Sequence, residues 1–249
     1  MPRAPESLEP FRHPGGWGAL LYDAGRVRND PALLEPASYG AHAQPIGEGG
    51  RGSAWFVRGA FGDAVLRHYR RGGLAARLSR DTYVWRGSHR TRCFREYRLL
   101  AELHAEGLPV PRPLAAGYLR HGLGYRARLL IERLPGATPL GARLEEGDAL
   151  PWEAIGALVA RFHAARVFHA DLNAHNILLG PDAGEGPVLW LVDFDRGDRR
   201  PIASGWRTAN LERLERSLRK LAGRGADARV AGWSARLRAG YERAWQARL

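Results

Sequence analysis

The sequence predicts an α+β chain of two lobes, a small N-terminal one that contains a sheet and a mainly helical C-terminal one. Three observations predict it. Short apolar runs such as Ala64–Arg67 and Leu129–Glu132 read as strands within residues 45–134. From residue 135 onward, apolar residues recur at helical spacing in Trp152–Ala165, Asn210–Leu221 and the Trp233, Leu237, Tyr241, Trp245 series. A hairpin interrupts those helices, with Ile177–Leu179 and Val188–Val192 as strands and the Gly/Pro-rich Gly180–Pro187 turning between them. A chain of 249 residues with 45% hydrophobic content can build one large domain or a two-lobed unit with a full core. Residues 1–44 read as a Pro/Gly-punctuated N-terminal extension in which Trp17–Tyr22 forms a strand, residues 45–134 as the first lobe, and 135–249 as the second.

In chain order, the first chemical signal is Gly47, Gly49 and Gly52 in IGEGGRGSAWFV, a G-x-G-x-x-G match followed by a returning strand at Trp55–Val57. Glycines there let the backbone fold over phosphates. In a chain of 31 glycines a flexible turn is the plain alternative, but the match gains weight from preceding the strand Ala64-Val65-Leu66-Arg67. The only lysine, Lys220, lies far downstream, so Arg67 is the candidate phosphate-contacting cation and His68 the alternative. Arg92–Glu106 has a helical pattern through Phe94, Tyr97, Leu100 or Ala101, and His104, and GLPVP ends it. Glu96 is the candidate ion-pair partner and Glu102 the second choice, against a plain reading of both as solvated helix-face charges. Leu129–Glu132 runs into Arg133-Leu134-Pro135-Gly136, read either as a hinge between lobes or as an ordinary strand end and turn.

The strongest signal is HADLNAHNILL, His169–Leu179, followed by LVDFD, Leu191–Asp195. Phosphoryl transfer needs one group to orient the attacking hydroxyl and a few oxygen ligands for Mg²⁺. Asp171 suits the first task, and Asn176 and Asp193 suit the second. A lone Asp or Asn in a loop is more often a turn former, and a lone histidine such as His169 a structural hydrogen-bonding residue. The ordered set H-x-D-L-x-x-x-N, then an apolar strand ending in D-F, places all four in a catalytic group.

These segments resemble the bacterial lipopolysaccharide-core kinase family within the protein kinase-like superfamily, most closely its members that phosphorylate 3-deoxy-D-manno-octulosonic acid (Kdo). LRHYRRGGL (Leu66–Leu74), the stretch Tyr83–Pro113, HADLNAHNILL, VDFDRG (Val192–Gly197) and WRTANLERLERSLRKL (Trp206–Leu221) carry the match. The resemblance implies a two-lobed kinase fold, ATP and Mg²⁺, and adenine contacts from backbone near Glu132 and Leu134. It also implies a Kdo-lipid A precursor as acceptor, with the 4-hydroxyl phosphorylated; a sister activity on inner-core heptose is the nearest alternative. Two departures stand: Arg67 replaces the usual lysine, and Asp195 stands where D-F-G has glycine. The remainder after Asp195 is short and lacks Ala-Pro-Glu, which favours a non-protein acceptor over an atypical protein kinase. Asp171, Asn176 and Asp193 argue against a catalytically silent module that binds anionic lipid or nucleic acid.

Charge bounds the partners separately. The formal net charge is +12, with a pI near 10.8, so a polyanionic partner is expected. Ten arginines between Arg67 and Arg98 face only Asp81 and Glu96, and Tyr69, Tyr83 and Trp85 interleave with them, as suits docking on an anionic membrane; a solvated arginine-rich surface is the alternative. No nucleic-acid module accompanies the charge, and none is expected as a partner. No run approaches the roughly 20 apolar residues of a bilayer span, and MPRAPESLEPFRHPGG lacks the apolar core of a secretory signal. The expected location is peripheral, on the cytoplasmic side of the inner membrane. The single Cys93 precludes an internal disulfide and reads as structural.

Overall fold

The computed structural model describes residues 6–47, 53–70, 81–182, 184 and 186–247, and the chain divides into two compact units. The first comprises Met1–Glu106 and Pro111–Arg133, the second Gly107–Val110 and Leu134–Leu249.

The first unit is an antiparallel sheet. Its strands are β1 (Glu6–His13), β2 (Gly16–Asp23), β3 (Ala43–Pro45), β4 (Ala54–Gly59), β5 (Gly62–His68), β6 (Tyr83–Val84), β7 (Pro113–His121) and β8 (Gly124–Glu132). They lie in the order β1-β2-β7-β8-β5-β4-β3, and β6 pairs with β8. Side chains alternate along β5, so Ala64 and Leu66 enter one face and Val65 and Arg67 the other. On the first face Ala64 and Leu66 pack with Leu20, Tyr22, Leu114, Ala115 and Leu130 beneath Val27 and Leu34, and the 3-10 turns Pro31–Leu34 and Pro36–His42 cover that layer. Helix α1 (Arg92–Ala105) packs on β7 and β8, where Phe94 meets the Tyr118 ring edge-on at 5.3 Å.

Two expectations are corrected here. Of the expected 1–44 extension, the described residues 6–44 are not an appendage: β1 and β2 extend the sheet through the Leu20–Gly117 and Leu21–Ala116 pairs, and residues 27–43 close its core. The buried face of α1 carries Phe94, Tyr97 and Leu100 and ends at Leu103, while His104 is exposed, because Leu103 follows the buried Glu96 by seven residues and Leu99 by four and its apolar side chain gains most from burial.

The second unit contains α2 (Trp152–Ala164), α3 (Ser204–Ala222) and α4 (Asp227–Gln246), with short strands β9 (Thr138–Pro139), β10 (Val167–Phe168), β11 (Ile177–Asp182), β12 (Pro187–Leu191) and β13 (Asp198–Arg199). The expected hairpin is present as β11 and β12, antiparallel, with β11 running two residues beyond Gly180 before the turn. Trp233, Leu237 and Tyr241 of α4 are buried, and Trp152 stacks on Trp233 with centroids 5.0 Å apart, so this aromatic stripe is core. Glycines set the α2–α4 approach. A Cβ on Gly156 would stand 1.9 Å from the Leu237 carbonyl oxygen, and one on Gly240 would stand 2.0 Å from that of Glu153.

This contact generates a stability prediction. Gly156→Val forces α2 and α4 apart and is expected to cost about 3 kcal/mol or more, read as a large fall in thermal midpoint. Gly232→Ala, on α4 but with open space around it, should instead raise stability by roughly 0.5–1 kcal/mol. Equal midpoints for Gly156→Val and the parent chain would refute the close glycine contact.

Candidate active site

In the first unit, the residue pattern of β5 and α1 brings a cation and a carboxylate together. Arg67 Nη1 donates to Glu96 Oε1 at 2.9 Å, and the Glu96 side chain is 1% exposed. A carboxylate so buried requires a full set of donors. Tyr69 supplies another, its hydroxyl donating to Glu96 Oε2, and burial together with the Glu96 charge pushes the Tyr69 pKa upward. His68 faces the opposite side of the sheet, tilted at 52° against the Trp55 ring with centroids 4.4 Å apart, and burial lowers its pKa to about 4. Arg67, not His68, therefore meets Glu96. Glu102 lies farther along α1 and is not part of this pair.

The other first-unit candidates are backbone positions. Gly47 has φ +97°, a conformation that favours glycine, while Gly49 and Gly52 lie outside the described residues. The Glu132 N–H donates to the Arg112 carbonyl at 2.9 Å and Arg133 N–H to Asp63 at 3.0 Å, so both amides are engaged within the sheet. Leu134 belongs to the second unit, where its carbonyl accepts from Ala137 N–H at 3.4 Å. Tyr69 and Tyr83, expected at a membrane face, are buried instead, because the alternation at the ends of β5 and β6 turns their rings inward.

In the second unit, the loop between β10 and β11 is organised by His169. This imidazole is buried; Nε2–H donates to the Val192 carbonyl at 2.9 Å, and Nδ1 accepts the Asp171 N–H at 3.2 Å. One donor and one acceptor define a neutral ring, and burial lowers its pKa accordingly. His169 thus ties the backbone of Asp171 to the residue preceding Asp193. Hairpin pairing adds a second tie, since Ile177 faces Leu191 and Val192 N–H donates to the Asn176 carbonyl at 3.0 Å. The Asn176 side-chain amide donates to the Asp171 carbonyl at 2.9 Å, which turns its oxygen the other way. Asp193 holds φ +64°, unusual outside glycine and tolerated by aspartate. An amide oxygen and a carboxylate from adjacent chain segments form an oxygen donor set that fits a hard cation such as Mg²⁺. Among the described residues no group of three or more His, Cys, Asp or Glu forms a metal cage.

Sequence reasoning missed what holds this loop from outside. One face of α3 carries Asn210, Arg213 and Ser217, spaced by three and four, and all three reach the loop. Asn210 Nδ2 donates to the His169 carbonyl at 2.9 Å while its Oδ1 accepts His169 N–H at 3.3 Å. Arg213 Nη1 donates to Asp171 Oδ1 at 3.1 Å, and Ser217 Oγ accepts Ala174 N–H at 3.2 Å. Asn173, within the loop, donates to Asp171 Oδ2 at 3.1 Å. Behind Asn210 the chain of bonds continues, with His163 Nε2–H on Asn210 Oδ1 at 3.3 Å and His163 Nδ1 accepting the Tyr241 hydroxyl at 3.0 Å. The available signal was an Asn and a Ser seven apart in a helix whose Leu stripe drew the eye.

The family model described as "Lipopolysaccharide kinase (Kdo/WaaP) family" matches residues 38–237. A protein named 3-deoxy-D-manno-octulosonic acid kinase from Xanthomonas axonopodis pv. citri (strain 306) is 54% identical over 97% of this chain and 96% of its own length. A protein of the same name from Stenotrophomonas maltophilia (strain K279a) is 53% identical over the same shares. A solved structure titled "WaaP in complex with acyl carrier protein" aligns with a TM-score of 0.47 and 18% identity over 89% of this chain and 98% of that one.

The buried histidines generate a pH prediction. Burial lowers the His163 pKa from 6.5 to about 4, so below 6.5 protons bind the unfolded chain before the folded one. The stability contributed by neutral His163 is complete above 6.5 and is lost as pH falls through about 4. The thermal midpoint should therefore decline on acidification across this window, and His163→Gln should flatten the decline. An unchanged slope in that variant would count against a neutral buried His163.

Proposed function

The chain belongs to the lipopolysaccharide kinase (Kdo/WaaP) family, and from that premise we propose that it transfers the γ-phosphoryl group of ATP to the 4-hydroxyl of Kdo in the Kdo-lipid A precursor. The observation that carries this reading is the His169-centred loop, which brings Asp171, Asn176 and Asp193 together in a chain 54% identical to a relative named for that sugar.

Each residue then has a task. Asp171 accepts the proton of the sugar hydroxyl as its oxygen bonds to the γ-phosphorus and the bond to the β-γ bridging oxygen breaks, releasing ADP. Asn176 and Asp193 hold Mg²⁺, which neutralises charge on the phosphate oxygens. His169 positions both segments without touching substrate. Arg67 holds phosphate oxygens of ATP while paired to Glu96, because a guanidinium with five donors can serve two anions at once. Gly47, Gly49 and Gly52 are assigned to those phosphates by their sequence spacing, and backbone near Glu132 and Leu134 meets adenine. No described helix is long and apolar enough to cross a membrane, so an embedded acceptor is reached from the surface. The arginine-rich stretch Arg70–Arg92 supports docking on the anionic cytoplasmic face of the inner membrane.

Transfer of radioactive γ-phosphate to detergent-dispersed Kdo-lipid A tests this directly. Asp171→Asn should lower kcat by about a hundredfold or more while keeping ATP binding, and Asp193→Asn should weaken Mg-ATP binding. Arg67→Ala should slow transfer strongly, with Arg67→Lys recovering part of the rate. Near-normal turnover by Asp171→Asn or Asp193→Asn would remove the assignment.

A further inference from the structure

We infer that one end of the first unit's sheet, built from Trp17, Val84 and Leu123, is the surface that enters an anionic bilayer. This deepens the proposed function and rests on it, since a membrane-embedded acceptor is what calls for such a surface.

The argument begins with the β7–β8 turn, His121-Gly122-Leu123-Gly124. Hairpin turns are ordinarily polar. Here Leu123 is 87% exposed, with Gly122 at φ +56° making the turn possible. The neighbours repeat the anomaly. Val84 of β6, paired with Gly124, is 62% exposed, and Trp17 of β2, paired with Arg120, is 47% exposed. Three of the seven exposed large hydrophobic residues among the described residues thus gather on adjacent strands at one sheet end. Scattered apolar residues on a surface are ordinary; three exposed together at the end of neighbouring strands are not.

The patch is also held rigid. Arg120 sits 5.0 Å from both the Trp17 and Trp85 ring centroids, and its Nε–H donates to the Gly122 carbonyl at 3.1 Å. The two indoles meet edge-on at 5.8 Å, and the main-chain N–H of Trp85 donates to the Leu123 carbonyl at 2.9 Å. Little ordering entropy is therefore lost on insertion.

Charge selects the occupant. Arg12, opposite Trp17 on β1, is exposed, as are Arg86 and Arg90 beyond β6, and Arg126 pairs with Asp81 at 2.9 Å at the rim. A convex apolar turn with an indole at its base and guanidinium groups around it matches a leaflet whose tails take Leu123 and Val84, whose interface takes Trp17, and whose anionic headgroups take the arginines.

The test uses the full chain and vesicles of phosphatidylethanolamine with phosphatidylglycerol. Leu123→Asp combined with Val84→Asp should lower vesicle partitioning by about tenfold or more at unchanged thermal midpoint, while Ile202→Asp, exposed in the second unit, should leave it unchanged. Cys93 is buried, so Leu123→Cys can be labelled selectively with a polarity-sensitive dye, whose emission should shift to the blue on vesicle addition. An aqueous dye signal with vesicles bound, or undiminished partitioning of the double variant, overturns the inference. So does loss of a dimer in the double variant with vesicle binding retained, which would make the patch a contact between copies. Phosphorylation of detergent-dispersed Kdo-lipid A should survive the double substitution. Failure of the parent chain in that assay would refute the proposed function and leave the vesicle result standing.

Discussion

A neutral, buried imidazole holds the second unit's chemistry in place. His169 can accept from Asp171 N–H and donate to the Val192 carbonyl only as a single tautomer, and the low-dielectric surroundings that disfavour its protonation keep it in that form. Everything nearby reinforces this ring. Asn210 satisfies both main-chain groups of His169, Phe194 packs against its imidazole at 4.9 Å, and the β11–β12 ladder brings Asn176 to Val192. The exposed Asp171 is therefore placed twice over, by the bond from its backbone N–H to His169 and by the bonds its carboxylate accepts from Arg213 and Asn173, while the left-handed Asp193 follows directly on the residue whose carbonyl His169 holds.

A different constraint rules the first unit. Glu96 is nearly inaccessible, and its buried carboxylate is met by Arg67 and Tyr69, which reach it from β5 and its continuation. Removing either partner would strand a buried charge, so this pair locks α1 to the sheet at a defined register. The same lock fixes the guanidinium for phosphate binding under the proposed function. Arginine in this place is a consequence of geometry as well as of a chain nearly devoid of lysine: its fork can hold a carboxylate without surrendering its remaining donors.

The fold class and much of the candidate site were legible because their signals are local. The helical spacing of Trp152–Ala165, the paired apolar runs of the hairpin and the order of His169, Asp171, Asn176 and Asp193 each lie within a few turns of chain. Residues 6–23 were not legible as part of the sheet, since their burial comes from β7, about a hundred residues away. Tyr69 and Tyr83 misled for a related reason: interleaving with arginines looks interfacial, whereas strand alternation turns those rings inward. The Asn210, Arg213 and Ser217 face of α3 was hidden by the stronger Leu211, Leu214, Leu218 stripe beside it. A periodicity reading finds the face that packs and passes over the polar one that grips a loop.

Where the phosphate lands tests the central claim most directly. Product made from ATP, Mg²⁺ and Kdo-lipid A should show, in a phosphorus–proton correlation spectrum, a monoester resonance coupled to the proton on carbon 4 of Kdo. A phosphate correlated with any other sugar position, or with heptose alone when both acceptors are offered, would contradict it.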